Sequence, residues 1–240
     1  MKKLRWQILI VLVTLIIVGV LLLTQQPAET TNFIEPSSGG IYTEALVGGY
    51  GRLNPLFDLN NEADRDIDRL IFSSLIQFDS RGVPRADLAE SWGVSADGMI
   101  YNFTIRPNAT WHDGQPVTSE DVIFTLSLMR SQFSAYPDDV RGMWDSVEIT
   151  QLDQKNLKFV LPEPFAPFLD YLTFGVLPKH LVETIPADQL INNEFNLAPI
   201  GSGPYRFEEL TVEGGEITGV VLARNDNYYG QIPYIEQIVF

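Results

Sequence analysis

Cysteine is absent from the 240 residues, and histidine occurs only twice. The lack of cysteine excludes disulfide bonds, thiolate catalysis, Cys-based zinc sites and lipid anchors attached through sulfur. Two histidines leave little room for a His-rich metal site or a Ser-His-Asp triad. Basic side chains are also few: 16 Lys and Arg face 31 Asp and Glu, for a net charge of −15. Because phosphate binding needs clustered Lys and Arg, we expect no nucleic-acid partner.

An uncharged apolar run at residues 8–23 follows Lys2, Lys3 and Arg5. A basic start before an apolar segment is typical of an export signal, with the basic end left in the cytoplasm. As a helix, the run would be about 24 Å long, near the lower limit for crossing a bilayer. The small residues expected before a cleavage site are poorly placed. Residues 1–28 are therefore predicted to be a signal or transmembrane anchor, with the uncleaved anchor favoured.

Residues 29–40 belong to a stretch rich in Pro, Ser, Thr and Gly, which predicts a flexible tether. Removing residues 1–28 takes away three basic side chains and no acidic one, so the exported part would carry −18. Beyond the tether, the exported part consists of residues 41–240. The composition of the whole chain is ordinary for a globular protein. Its function must therefore tolerate an anionic surface.

Strand and helix patterns alternate beyond residue 40, which predicts a mixed α/β fold. Side chains that cap helix N-termini predict one helix after Asn60 or Asn61 and another after Thr118 or Ser119. Shorter helices are expected at 168–174 and 178–184. The predicted strands are 41–47, 101–105, 147–149, 156–161, 205–210 and 219–223.

Three aspartates alternate along the first of these helices: Asp64, Asp66 and Asp68. The spacing suggests a calcium loop, but no glycine turn or distal Glu follows at EF-hand spacing. Acidic residues in the first turns of a helix complement its dipole. The favoured interpretation is a solvated helix start.

A set of short motifs runs through residues 41–240. The segment 88–126, called the signature below, contains L-A-x-S-W, an acidic-Gly turn, an aromatic strand and W-x-D-G-x-P-x-T. Other motifs are L-N-P at 53–55, L-P-K-H at 177–180 and G-S-G-P-Y at 201–205. As a set they resemble the family 5 extracellular solute-binding proteins, the peptide- and nickel-binding receptors of ABC importers. Pro107 stands where the family usually has a Gly-containing turn, a difference confined to a loop.

The resemblance implies a periplasmic-binding-protein-like type II fold, with two lobes that close on the ligand. Residues 41–78 and 175–240 would form the first lobe, discontinuous and incomplete, and residues 79–174 an inserted subdomain. The chain would then lack the second lobe and half of the cleft. We expect it to bind no peptide detectably on its own, because closure normally buries a ligand from both sides.

The resemblance also implies which residues touch the solute. These are the loop after the first strand, the residues after L-N-P and a tyrosine beyond the signature helix: Gly49, Tyr50, Leu59, Asn60, Asn61 and Tyr136. Main-chain hydrogen bonds to an extended peptide would give affinity with little regard to its sequence. Other roles remain open, because the asparagines could only cap a helix and the tyrosines could be ordinary half-buried aromatics.

By resemblance the protein is no enzyme and needs no cofactor or resident metal. It would be an extracytoplasmic monomer, held at the membrane through residues 8–23, that delivers a peptide or small polar solute to ABC permease membrane subunits. One alternative is a solute sensor without transport. Another is an exported hydrolase using Glu120 with Asp121 or Asp138 with Asp139, although adjacent helical residues point apart.

The histidines and tryptophans suggest further sites. His112 and His180 would be the metal ligands of a nickel carrier, but each stands alone, and structural or surface roles are favoured. Trp92 and Trp111 belong to the signature and are expected to pack in the core. The role of Trp144 stays open between packing and ligand stacking.

Overall fold

The computed structural model describes residues 2–24 and 37–240, and the chain divides into two units after Pro36. The first unit contains helix α1, Lys2–Thr24. Within it, Arg5–Leu22 has a mean hydropathy of 2.4 and no buried residue, so α1 is long and apolar enough to cross a membrane. Residues 25–36 of the signal and tether predictions lie outside the described residues.

The second unit, Ser37–Phe240, is mixed α/β. Its strands are β1 Ile41–Thr43, β2 Ile76–Phe78, β3 Pro84–Ala86, β4 Ala89–Val94, β5 Ile100–Ile105, β6 Glu148–Gln151, β7 Asn156–Val160, β8 Tyr205–Glu213, β9 Glu216–Arg224 and β10 Gln237–Val239. Its α-helices are α2 Glu62–Ile71, α3 Ser119–Arg130, α4 Asp138–Ser146 and α5 Lys179–Val182. Four 3-10 helices are Asp58–Asn60, Ala166–Leu172, Leu190–Asn192 and Glu194–Leu197.

The first sheet joins the two ends of this unit. Its order is β1-β10-β9-β8, with β1 parallel to β10 and the other neighbours antiparallel. Ile41 is paired with Gln237, so this edge of the sheet is formed by segments that lie far apart in sequence. The second four-stranded sheet is a local antiparallel one of order β4-β5-β7-β6, and β2 and β3 form a separate pair.

The second sheet follows the period of two expected from its sequence. Along β5, Tyr101, Phe103 and Ile105 are buried, and Asn102 between them is exposed. The ring of Phe103 packs edge-on against Phe159 of β7, with 5.6 Å between centroids. This buried face holds α3 and α4 against the sheet, because their apolar side chains join the same core.

Helix α3 begins at the predicted threonine cap. The carboxylate of Asp121 accepts hydrogen bonds from the backbone N–H of Thr118, at 2.7 Å, and from its hydroxyl, at 2.9 Å. The other oxygen of Asp121 accepts from the backbone N–H of Lys179. A helix start is thereby tied to the beginning of α5.

Helix α2 packs against the loop that carries the G-S-G-P motif. The backbone N–H of Gly203 donates to the carbonyl of Ile71 at 2.8 Å. A Cβ atom on Gly201 would lie 1.9 Å from that carbonyl oxygen, and one on Gly203 would lie 2.3 Å from the carbonyl oxygen of Leu70. Glycine is therefore required at both positions by close backbone approach.

The local predictions were confirmed for most strands and helices, with differences at the edges. The predicted strand 41–47 is only three residues long, because β10 pairs with it only over Ile41–Thr43. Strands β2, β3, β4 and β10 and helix α4 were not predicted. The predicted helix at 168–174 is the 3-10 helix Ala166–Leu172.

Candidate functional site

The segment between β1 and α2 is fixed by a buried asparagine pair. The side-chain amide of Asn54 donates to Oδ1 of Asn196 at 2.8 Å, while its own carbonyl oxygen accepts from the backbone of Leu56 at 3.0 Å. Both asparagines are at most 2% exposed. Because a buried amide needs its partners, this pair holds the chain in one path toward the 3-10 helix Asp58–Asn60.

Asn61 caps α2. Its Oδ1 accepts from the backbone N–H groups of Ala63 and Asp64, and its Nδ2 donates to the carbonyl of Gly49 at 2.8 Å. The Asp64 carboxylate accepts from two further backbone N–H groups, of Gly51 and Arg52. The cap thus ties the loop after β1 to the start of α2.

A cleft of about 960 Å³ opens beside α2. We call it the α2 cleft. Its walls are the segment 55–60, one face of α2, the loop 135–137 before α4, and the segment 170–175. Its volume is at the upper end of the range for small-molecule sites.

Three of the six residues predicted to touch the solute line the α2 cleft: Leu59, Asn60 and Tyr136. The other three do not line it. Asn61 and Gly49 are bound to each other, and Tyr50 is half-buried and packed against the hydrophobic core. The proposed ligand contacts of all six stay predictions.

Two buried aspartates lie in the wall of the cleft. Asp58 is 7% exposed and Asp68 is 2% exposed. Among the described residues, neither oxygen of Asp68 accepts a hydrogen bond of normal geometry, although the backbone N–H of Asn54 lies near enough to lower its pKa slightly. Burial raises the pKa of Asp68 well above its usual range, and the negative charges of Asp58 and Asp64 raise it further.

The pKa of Asp58 is less strongly perturbed because Asp58 is less deeply buried and has cations nearby. Burial raises the pKa of Asp58 to about 6, while Arg65 and Arg69 pull it down. Neither arginine forms an ion pair with it. Arg65 is half-buried and contacts Glu62 at 3.4 Å, and the exposed Arg69 contacts Asp66 at 3.5 Å.

The solvated helix start predicted for the three aspartates is wrong for two of them. Asp64 and Asp68 are buried at 3% and 2% exposure, and only Asp66 is exposed. The signal was present in the sequence: Asp64 and Asp68 are spaced by four and lie on the same helical face as Ile67 and Ile71. Acidic residues are also typical of a solvated helix N-terminus, so the sequence did not distinguish that interpretation from a buried face.

Aromatic side chains also line the cleft. Trp144 is fully buried and packs against Phe174, with 6.1 Å between the ring centroids, and both line the cleft with Phe72. The open choice for Trp144 is settled toward core packing. The hydroxyl of Tyr136 has a raised pKa because it is buried and lies near Asp58.

A third acid at the cleft, Asp87, is well partnered. Its oxygens accept from the hydroxyl of Tyr229, at 2.5 Å, and from the backbone N–H and hydroxyl of Ser74. The guanidinium of Arg106 lies 5.6 Å from the centre of the Tyr229 ring. Burial still raises the pKa of Asp87, although these donors oppose the shift.

Both histidines have structural partners. Nδ1 of His112 accepts from the backbone N–H of Gly201 at 3.2 Å, and its Nε2 lies 3.1 Å from the carbonyl of Gly203. This pair of contacts requires the neutral ring with the proton on Nε2. Burial lowers the pKa of His112 to about 4. Nε2 of His180 lies 2.7 Å from Asp113.

The acids of the hydrolase alternative are also engaged elsewhere. Glu120 forms an ion pair with Lys179 at 2.8 Å, and Asp121 caps α3. Asp138 contacts Arg141 on the next turn of α4. Among the described residues, no group of three or more His, Cys, Asp or Glu is arranged to hold a metal ion.

The chain resembles known binding proteins over most of its length. It is 29% identical over 215 residues to the oligopeptide-binding protein AppA of Bacillus subtilis, covering 86% of this chain and 37% of that protein. The structure of AppA in complex with a nonapeptide superposes with a TM-score of 0.76 at 27% identity, over 85% of this chain and 40% of AppA. The chain therefore spans less than half the length of this relative.

Two further solved structures share the fold. NikZ from Campylobacter jejuni, in complex with Ni(L-His), matches with a TM-score of 0.67 and 28% identity, over 85% of this chain and 38% of its own. The ABC transporter substrate-binding protein CtaP from Listeria monocytogenes matches with a TM-score of 0.72 and 29% identity, over 85% and 40%. The fold is that of type II periplasmic binding proteins, as expected.

The sequence also matches a family profile over residues 83–240, about two thirds of the chain, under the description "Bacterial extracellular solute-binding proteins, family 5 Middle". This match includes the signature from Leu88 onward and the G-S-G-P-Y motif. The relatives named above are binding proteins rather than enzymes. The chain belongs to the family 5 bacterial extracellular solute-binding proteins.

Proposed function

We propose that the protein is the extracytoplasmic substrate-binding component of an ABC importer for peptides. It captures a peptide in a cleft between two lobes and delivers it to the permease subunits in the membrane. The observation that carries the proposal is the match to AppA in both sequence and structure, since that protein was solved with a nonapeptide.

The α2 cleft supports a role in holding the solute. Leu59, Asn60 and Tyr136, which the family resemblance assigns to the ligand, lie in the walls of this one cleft. Tyr136 offers an apolar ring with a hydroxyl, a combination suited to a partly wet site. In this proposal, residues 41–78 and 175–240 belong to the first lobe and residues 79–174 to the inserted subdomain.

The N-terminal helix supports a position at the membrane surface. Helix α1 is apolar over Arg5–Leu22 and follows basic residues, so the acidic second unit would lie outside the cytoplasm. If α1 is retained as an anchor, the mass of the native protein includes residues 1–28, and the protein stays in carbonate-washed membranes. A mass starting after Ala28 would show a cleaved signal instead.

The test of transport is peptide uptake by cells that carry or lack the gene. The deletion strain is expected to lose uptake of a labelled peptide of two to nine residues, and the gene restores it. In parallel, the native protein extracted from membranes is titrated calorimetrically with the same peptides. Peptide binding without loss of uptake in the deletion would favour the sensor; no binding of any peptide would overturn the proposal.

The structural match to NikZ gives a second candidate ligand, a metal chelate. In this chain both histidines are engaged with the protein itself. The same calorimetric experiment with Ni²⁺ and histidine distinguishes the two, because a peptide receptor gives no saturable heat with the chelate.

A further inference from the structure

Asp58 and Asp68 are two buried acids in the wall of the α2 cleft that have few hydrogen-bond donors of their own. Asp58 is 93% buried, and its side chain receives no hydrogen bond beyond that of its own backbone N–H among the described residues. Asp68 is more deeply buried and its oxygens are unpartnered at normal geometry. Buried carboxylates ordinarily have donors or cations, so an unpartnered pair calls for an explanation.

The arginines of the cleft compensate Asp58 only in part: Arg65 and Arg69 lower its pKa but form no ion pair with it. Arg65 and Arg69 contact exposed acids of their own helix rather than Asp58 or Asp68. The remaining buried acid of the cleft, Asp87, already has three donors. Among the buried carboxyl groups that line the cleft, Asp87 is therefore satisfied, while Asp58 and Asp68 have free acceptor capacity.

We propose that Asp58 and Asp68 form a subsite for a positively charged group of the solute, a primary ammonium or a guanidinium. Asp58 makes the contact, because it is the more exposed of the two, and Asp68 is a second carboxyl group behind it whose charged form a bound cation favours. A cation placed there converts an unfavourable buried pair of acids into a charge-assisted interaction.

The surrounding side chains fit the rest of such a group. Phe72, Tyr136 and Tyr171 line the same cleft and offer flat apolar surfaces to an aliphatic stem. Aromatic faces also attract ammonium and guanidinium groups directly. A basic side chain of a peptide can thus place its stem against the aromatic rings and its charged end against Asp58. Peptides with a basic group are then the substrate class, an inference that rests on the proposed function.

The test uses the full chain in nanodiscs of zwitterionic phosphatidylcholine, with small probes in place of a peptide. Saturation-transfer NMR measures dissociation constants for n-butylguanidinium and for its neutral counterpart N-butylurea. The guanidinium is expected to bind saturably at millimolar concentration, at least tenfold more tightly than the urea. Equal affinities, or no saturable guanidinium binding, would overturn the subsite.

Variants locate the binding. Asp58→Asn is expected to weaken guanidinium binding at least tenfold and Asp68→Asn at least threefold. Asp66→Asn is the matched control, because it removes the same charge from an exposed position of the same helix, and its affinity stays within twofold of the parent. Parental affinity in both cleft variants would refute the proposal. If neither variant folds, as checked by circular dichroism, the comparison of the two probes on the parent chain decides.

Two further probes separate the sources of the cation. Nα-acetyl-lysine methylamide presents only a side-chain ammonium, and alanine methylamide only an α-ammonium. Displacement of the guanidinium by the first alone assigns the subsite to a basic side chain, and by the second alone to a peptide amino terminus. Neither probe needs a permease or an intact peptide. A failed uptake experiment with successful probe binding therefore overturns the proposed function alone, and the reverse result overturns the subsite alone.

Discussion

The hydroxyl of Tyr229 donates a 2.5 Å hydrogen bond to Asp87, a residue 142 positions earlier in the chain. The contact joins the segment after β9 to the loop between β3 and β4. It also supplies one of the hydrogen-bond donors that offset the free-energy cost of burying the Asp87 carboxylate. The raised pKa of the Tyr229 hydroxyl, caused by burial and by the charge of Asp87, means that it donates throughout the physiological pH range.

Replacing Tyr229 by Phe should therefore destabilise the protein. The ring and its packing remain, but Asp87 loses a donor while still buried, which costs about 1–3 kcal/mol of unfolding free energy. Urea denaturation at pH 7 measures the change. Tyr234→Phe is the control, because Tyr234 is 47% exposed and, among the described residues, only its backbone carbonyl accepts hydrogen bonds. Equal stability of the two variants would show that the Asp87 contact contributes little.

His112 should give the protein an acid-sensitive step. Its pKa falls from 6.5 to about 4 on folding, mainly through burial, with Arg206 lowering it and Asp113 raising it. The unfolded chain therefore binds the proton more readily, so this contribution to stability is complete above about pH 6.5 and declines as the pH falls toward 4. The loss amounts to about 2–3 kcal/mol.

The comparison that isolates this effect is His112→Leu. The variant leaves the N–H of Gly201 without its acceptor, while the carbonyl of Gly203 keeps the side-chain amide of Asn225 as a donor at 3.0 Å. It is therefore less stable than the parent at pH 7 by about 1–3 kcal/mol. Its deficit shrinks between pH 6.5 and 4, because the parent alone loses stability there through this ring. Urea denaturation across that range gives the difference. A deficit independent of pH would contradict the assigned role of the neutral imidazole.

Gly201→Ala should be severely destabilising. The new Cβ would lie 1.9 Å from the carbonyl oxygen of Ile71, so the loop must separate from α2. We expect a loss of about 3 kcal/mol or more, or failure to fold, from the resulting strain. Gly142→Ala is the matched control: it lies in α4 with no atom within 4 Å of the added Cβ. That change should raise stability by about 0.5–1 kcal/mol. Thermal unfolding distinguishes the two.

Asp68→Asn should stabilise the protein at neutral pH. The pKa of Asp68 in the folded protein is raised above the unfolded value of 3.8. The contribution of Asp68 to the free energy of unfolding is therefore most favourable at low pH and is lost as the pH rises above about 4. Removing the unpartnered charge should recover about 1–2 kcal/mol at pH 7. The gain should vanish near pH 3. Asp66→Asn, on the exposed side of α2, should show neither effect.

Local sequence signals predicted much of the fold because they act over a few residues. Examples of such local signals are the Asn61 cap of α2, the Thr118 cap of α3 with its hydrogen bonds to Asp121, and the alternation of buried and exposed residues along β5. Strand β4 was missed because its sequence, with Glu90, Ser91 and Gly93, has no apolar alternation; its conformation comes from pairing with β5.

The candidate site was only partly predictable for the same reason. Leu59, Asn60 and Tyr136 came from the family resemblance, and the cleft does contain them. Asp68 was missed because the groups beside it, among them the backbone N–H of Asn54 and the carboxylate of Asp58, approach α2 only in the folded chain. Sequence alone places an acid on a helical face, but the depth of that face depends on what covers it.

The parallel pairing of β1 with β10 has a consequence for how the protein is made. Ile41 and Gln237 are 196 positions apart in sequence, and β10 also separates β1 from β9. At synthesis rates of about 5–20 residues per second, β1 waits for roughly 10–40 s before its partner strand exists. Until then its backbone is an open edge, able to pair with other chains. A chain that is exported while still unfolded, as the proposed function implies, would avoid that exposure in the cytoplasm.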